Sequence, residues 1–223
     1  LLGSKPASTP LDPTIHLRQD TSSPYTDAPS YRRLVGRLLY LTTTRPNITF
    51  ATQQVSQFMN SPTQVHYKAA TRILRYLKGS PSLGLFPRNS QLQVRGFCDA
   101  NWGGCLDTRR LITRYCFFVG DALISWRSKK QSTISRSSTE AKYRAFGVAT
   151  CELQWIHFLL QDLKVCMSKS HLLFCDNQSA LHITQNPVFH ERTKHLEMDC
   201  HLVREKLQVG LMHLLPIPSK AAS

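Results

Sequence analysis

From Tyr31 onward the apolar positions first recur at helical spacing and later condense into short unbroken runs. Leu34, Val35, Leu38, Leu39 and Leu41 mark a helix over 31–41, broken by Thr42-Thr43-Thr44 and Pro46. Pro46 suits the first position of a second helix, running through Phe58. Ser61-Pro62 repeats the signal, with Ser61 as the expected N-cap of a third helix through Leu77. Val65, Ala69, Ile73, Tyr76 and Leu77 are expected on its inward face, and Lys68, Arg72, Arg75 and Lys78 on the opposite one. Residues 1–30 are rich in Pro, Ser and Thr and lack apolar periodicity, so they read as a linker or an arm lying on something else.

After Gln91 the rhythm changes. Val94-Arg95-Gly96-Phe97-Cys98-Asp99 and Leu172-Leu173-Phe174-Cys175-Asp176 are apolar runs that stop at an aspartate, each followed by a polar turn. Such runs suit strands buried on both faces, in a parallel or mixed sheet covered by helices. Segments 115–119 and 123–126, around Gly120-Asp121, predict an antiparallel hairpin. Arg127 to Ser132 reads as a basic polar loop. Ser137-Ser138-Thr139-Glu140 has the form of a capping box opening a long helix to about Leu163, with Ala145, Ala149, Leu153, Ile156 and Leu160 inward. Beyond the second Asp-ended strand, the pattern predicts a short helix from Asn177 to about Thr184, a loop to Arg192, a helix from about His195 to Leu207, and a strand over 211–217. The expected class is α/β, with the two Asp-ended strands as parallel neighbours. The expected organisation is an arm over 1–30, a small basic helical segment over 31–90 and an α/β domain over 91–220.

Charge narrows the partners. Lys and Arg total 28 against 14 Asp and Glu, a formal net charge of +14. Between Asp27 and Asp99 no acidic residue occurs, while Arg32, Arg33, Arg37, Arg45, Lys68, Arg72, Arg75, Lys78 and Arg88 do. A face of one sign suggests a polyphosphate track. No basic helix carries a strong aromatic or leucine face for lipid, so nucleic acid is the expected polyanion, without a membrane partner. No apolar run is long enough to span a bilayer, and no signal peptide opens the chain. Seven cysteines, none in a Cys-x-x-Cys pair, point to a reducing, intracellular setting.

Ligands in such sheets gather at the carboxyl ends of strands. Asp99 or Asp176 alone reads as the end of a strand capping the next turn. Two carboxylates brought together repel unless a cation sits between them, so the pair reads as a metal site. Glu140 alone reads as half of a capping box, and Asp199 with His195 as a surface pair at i, i+4 spacing. Together, Asp99, Glu140, Asp176 and Asp199 on rigid elements are candidate ligands for two hard divalent ions. His190, His195, Cys200 and His201 match no common zinc spacing.

Three long runs carry a family likeness: Tyr31 to Leu41 with Thr44-Arg45-Pro46-Asn47; Ile124 to Gln131 with Ser135 to Glu140; and Cys175 to Ala180 with Asn186 to His201. They resemble the C-terminal part of the Pol polyprotein of copia-type LTR retrotransposons, from the end of reverse transcriptase through its ribonuclease H domain. The resemblance implies a ribonuclease H-like mixed five-stranded sheet with flanking helices, preceded by the thumb-like end of the polymerase. It implies Asp99, Glu140, Asp176 and Asp199 as metal ligands and catalytic groups for two Mg2+ or Mn2+ ions, with His195 assisting proton transfer or product release. Arg72 and Arg75 would grip the duplex. Lys129, Lys130, Arg136 and Ser138 would meet phosphates near the site, and 2′-hydroxyls would mark the RNA strand. The implied partners are an RNA/DNA hybrid and the reverse transcriptase palm. The implied setting is a cytoplasmic virus-like particle or the nucleus.

This sequence departs from the family's usual pattern at Asn101 (Asp), Arg114 (Gly) and Lys142 (Glu). It also has no Tyr-x-Asp-Asp and stops soon after Ser219-Lys220, where the pattern runs on. The chain is therefore expected to be a fragment or a decayed element copy, and the alternative to a nuclease is an inactive, nucleic-acid-binding remnant.

Overall fold

The computed structural model describes residues 3–19, 23–81, 92–101, 108, 110–131, 137–165, 167, 169–176 and 197–217. They form two compact units, Leu1–Leu85 and Phe86–Ser223.

In the first unit, α1 (Ala28–Leu41) is followed by a 3-10 turn (Pro46–Ile48), α2 (Thr49–Ser56) and α3 (Gln64–Gly79). α1 starts three residues before the expected Tyr31, because Asp27 accepts the Ser30 N–H as N-cap and Pro29 fits the first turn. Tyr31, Val35, Leu38, Ile48, Val55, Ala70 and Ile73 form the core, and the Tyr31 hydroxyl donates to the Val55 carbonyl at 2.7 Å. α3 is capped by Thr63, not Ser61. His66 takes the place that a Glu or Gln usually fills in a capping box: its Nδ1 accepts the Thr63 N–H at 3.0 Å. The inward face of α3 turns accordingly, with His66, Ala70 and Ile73 buried and Val65 exposed.

The arm belongs to this unit and is strapped along α3. The Ala7 N–H donates to the Arg75 carbonyl. The other ring nitrogen of His66, Nε2, lies 2.8 Å from the Arg18 carbonyl. Pro24 bridges to Thr63 in antiparallel fashion.

In the second unit a five-stranded sheet has the order β3-β2-β1-β4-β5, built from β1 (Val94–Asn101), β2 (Ile112–Val119), β3 (Ala122–Lys130), β4 (His171–Cys175) and β5 (Met212–Pro216). β1, β2 and β3 are antiparallel neighbours; β1–β4 and β4–β5 are parallel. The sheet is mixed and flanked by α4 (Ser138–Asp162) and α5 (Glu197–Gln208). This is a ribonuclease H-like fold. Tyr143, Phe146, Ala149, Leu153, Ile156 and Leu160 of α4 pack into one core with Val94, Cys98, Phe117 and Leu173 of the sheet and Val203 of α5. Ala141 and Ala145 join Ala100 and Leu111 in a smaller cluster, and side chains this small let the first turns of α4 lie close to the end of β1.

Two expectations are corrected here. β3 runs on to Lys130, so Arg127 to Lys130 is strand and not loop. The edge strand of a sheet tolerates, and is protected by, such charged side chains. β1 continues two residues past Asp99 to Asn101, because Ala100 and Asn101 still pair with Thr113 and Ile112 of β2. The expected short helix from Asn177, the loop to Arg192, His195 and Arg136 lie outside the described residues.

Candidate active site

The parallel register of β1 and β4 matches Phe97 with Phe174, so the chain reaches Asp99 and Asp176 two residues later at the same level. Below them Phe97 stacks on Phe174 with ring centroids 5.0 Å apart. Buried Cys98 and Cys175 precede the two aspartates, and their contact, together with burial, pushes the Cys98 thiol well above its ordinary value. Asp99 and Asp176 meet over a single side chain, Lys142 of α4. Its Nζ lies 3.4 Å from Asp99 Oδ1 and bonds directly to Asp176 Oδ1. Burial works against the ammonium, but the bond to Asp176 and the charge of Asp99 outweigh it and hold its pKa above the usual lysine value.

Glu140 does not join them. In an α-helix two residues correspond to about 200° of rotation, so positions 140 and 142 face opposite ways. Glu140 is only 6% exposed and accepts from Arg144 Nε, one turn on, at 3.2 Å. Ser137 is the N-cap and accepts the Glu140 N–H at 3.1 Å, the serine half of the expected capping box. Asp199 of α5 packs against Gly147 of α4, where an added Cβ would fall 2.7 Å from its Oδ1. Burial raises the pKa of Asp199 and the charge of Arg144 opposes this. Lys142 thus serves Asp99 and Asp176, while Arg144 serves Glu140 and acts on Asp199.

Arg114 stands on β2 directly opposite Asp99, in mid-strand and not in a turn. Burial lowers its pKa, and the charge of Asp99 raises it. Among the described residues no three His, Cys, Asp or Glu side chains converge closely enough to hold a metal ion. By donor chemistry the Asp99–Asp176 pair fits a hard cation. The four-carboxylate set needed for two ions does not assemble in this arrangement.

The basic candidates divide. Lys129 is exposed on β3 and lines a cleft of about 220 Å3 with Thr113, Tyr115, Arg127, Gln131 and Val148. Lys130 is half-buried on the same strand, and Ser138 is exposed in the first turn of α4. Arg72 and Arg75, expected to face a duplex, are turned onto the arm. Arg72 donates to the Thr9 carbonyl and hydroxyl and lies 3.5 Å from Asp12, and Arg75 donates to the Lys5 carbonyl at 2.8 Å. Lys78 reaches the Ser4 carbonyl. With no acidic partner on α3 itself, these cations are met by main-chain oxygens, and for Arg72 also by Thr9 and Asp12, of a segment too poor in apolar residues to fold alone.

No family model matches the chain. It is 39% identical over 218 residues, 97% of its length, to the retrovirus-related Pol polyprotein from transposon RE1 of Arabidopsis thaliana. The chain belongs to the Pol polyproteins of copia-type retrotransposons. It spans about 15% of that polyprotein's length. Among solved structures, the foamy viral protease–reverse transcriptase in complex with double-stranded DNA matches 89% of this Pol segment and 33% of its own chain, with a TM-score of 0.50 and 12% identity. A ribonuclease H1 isolated from compost matches 59% of the segment and 88% of its own chain, with a TM-score of 0.45 and 14% identity.

In the sequence Lys142 stands only as a departure from the family pattern, with no part in the expected site. Helical rotation was the available signal: if α4 turns residue 142 towards the two strand ends, it turns Glu140 away. The Glu140–Arg144 pair was legible too, from its i, i+4 spacing.

Proposed function

We propose that this Pol segment acts as the ribonuclease H of a copia-type element, hydrolysing the RNA strand of an RNA/DNA hybrid. The observation that supports this best is the meeting of Asp99, near the carboxyl end of β1, with Asp176, directly after β4, under the start of α4 in a ribonuclease H-like sheet. Asp99 and Asp176 would hold Mg2+ or Mn2+, with Glu140 and Asp199 as further acidic ligands once released from Arg144. The ions would supply an activated water and neutralise charge on the scissile phosphate. His195 remains the proposed proton carrier. Lys129, Lys130, Arg136 and Ser138 would hold the phosphate backbone, and the helical segment 31–90 would be the thumb-like partner of the reverse transcriptase palm. The proposed setting is intracellular, in a cytoplasmic virus-like particle or the nucleus.

The test is cleavage of an end-labelled hybrid at increasing Mg2+ or Mn2+. Metal-dependent cutting by the unaltered chain at high metal, lost in Asp99→Asn and Asp176→Asn, supports the proposal. Cutting that survives both substitutions rules it out. A second reading, a remnant that binds hybrids without cutting them, is favoured by the ion pairs of Lys142. Salt-dependent hybrid binding with no cleavage at any metal concentration would select it.

A further inference from the structure

We infer that Lys142 is an internal counter-ion standing in the cation position between Asp99 and Asp176, so that a divalent ion binds this chain only by displacing it. The inference rests on the ribonuclease H reading for the identity of the site, and concerns what this chain has placed there.

The Lys142 side chain is 15% exposed, far less than a lysine on a free helix face, and its Nζ contacts both carboxylates. One acid lies in β1 and the other directly follows β4, so neither strand alone accounts for their shared partner. Arg114 adds a second positive charge across from Asp99. Two negative charges are thus matched by two tethered positive ones. A hard divalent ion holds its site by gathering several carboxylate oxygens at once. Here those oxygens are already gathered by a group that cannot diffuse away, and a tethered competitor acts at a high effective concentration.

Position 142 is therefore the one that α4 offers to the carboxylate pair. Its side chain decides whether the pair is closed or open to metal. Lysine closes it, a neutral side chain opens it, and a carboxylate would add a third ligand.

Mn2+ alone is the probe, its binding to the full 223-residue chain measured by titration calorimetry and by the spectrum of free Mn2+. Lys142→Gln is expected to bind Mn2+ roughly tenfold or more tightly than the unaltered chain, and Lys142→Glu more tightly still. Lys142→Arg should stay at the unaltered level. Adding Asp176→Asn to Lys142→Gln or Lys142→Glu should remove the gain. Equal Mn2+ affinity in the unaltered chain and Lys142→Gln would overturn the inference, and so would no Mn2+ binding by any variant. If Lys142→Glu gains the Mn2+ site while neither it nor the unaltered chain cuts a hybrid at any metal concentration, the inference stands and the ribonuclease H reading fails.

A second measurement needs no substitution. Reductive methylation of Lys142, followed by mass spectrometry, should be low in EDTA and rise as Mn2+ is added. Labelling that does not move while Mn2+ binds would also overturn the inference.

Discussion

At the scale of single residues, two buried positions control the second unit. Gly96 sits in β1 where an added Cβ would lie 2.2 Å from the Phe117 ring and 3.0 Å from Leu173, both of which have no exposure. A strand glycine commonly marks such a close approach. Gly96→Ala should cost about 1–3 kcal/mol in urea unfolding, and combining it with Phe117→Leu should cost less than the two changes summed. Additive losses would mean that the ring is not what fills the glycine's space. His171 is buried in β4 with Nε2 2.9 Å from His157 Nδ1, and burial with the neighbouring imidazole pulls its pKa down to about 4. The unfolded chain takes up this proton near pH 6.5 and the folded chain does not until about pH 4. The stability that His171 contributes is therefore intact above about pH 6.5 and drains away as pH falls through that window, by up to roughly 3 kcal/mol. Unfolding midpoints measured from pH 7 to pH 4 should fall less steeply in His171→Leu, and parallel slopes would disprove the assignment.

At the scale of elements, the arm and α3 form one device. Arg72, Arg75 and Lys78 spend their donors on Thr9, Lys5 and Ser4, so a polyanion reaches this face only by lifting the arm. Removing residues 1–19 should raise affinity for a nucleic-acid duplex and steepen the plot of log affinity against log salt by about two to three. Circular dichroism should verify that the helices persist. Unchanged affinity would make this face purely structural. The pattern of apolar spacing made α1, the long α4 and both Asp-ended strands legible. It did not reveal that β3 continues through Arg127 to Lys130, because an edge strand that alternates charge with small polar groups looks like a loop. Nor did it place the cap of α3, since histidine rarely fills the role that His66 takes. The arm's docking was hidden for a different reason: apart from Thr9 and Asp12 on Arg72, its bonds to α3 run through main-chain groups, which every residue has and no sequence pattern marks.

At the scale of the whole molecule, the +14 charge is less available than its size suggests. Part of it is folded inward: Arg72, Arg75 and Lys78 onto the arm, Lys142 onto Asp99 and Asp176, and Arg144 onto Glu140. The candidate site was half legible. Asp99 and Asp176 announced themselves because an apolar run stops at each, and the register of β1 and β4 brings them level. Glu140 and Asp199 joined the candidate set as acids on rigid elements, while the folded chain ties the one to Arg144 and sets the other against Gly147. Among the described residues, no helix is long and apolar enough to cross a membrane.

The placing of Lys142 reaches beyond the protein itself. Lysine codons become glutamate codons when their first adenine is exchanged for guanine. If Lys142 is the counter-ion inferred above, a single base in the coding strand separates a carboxylate pair closed by lysine from one offered a third acid. Copies that differ by one replication error would sit on either side of that divide.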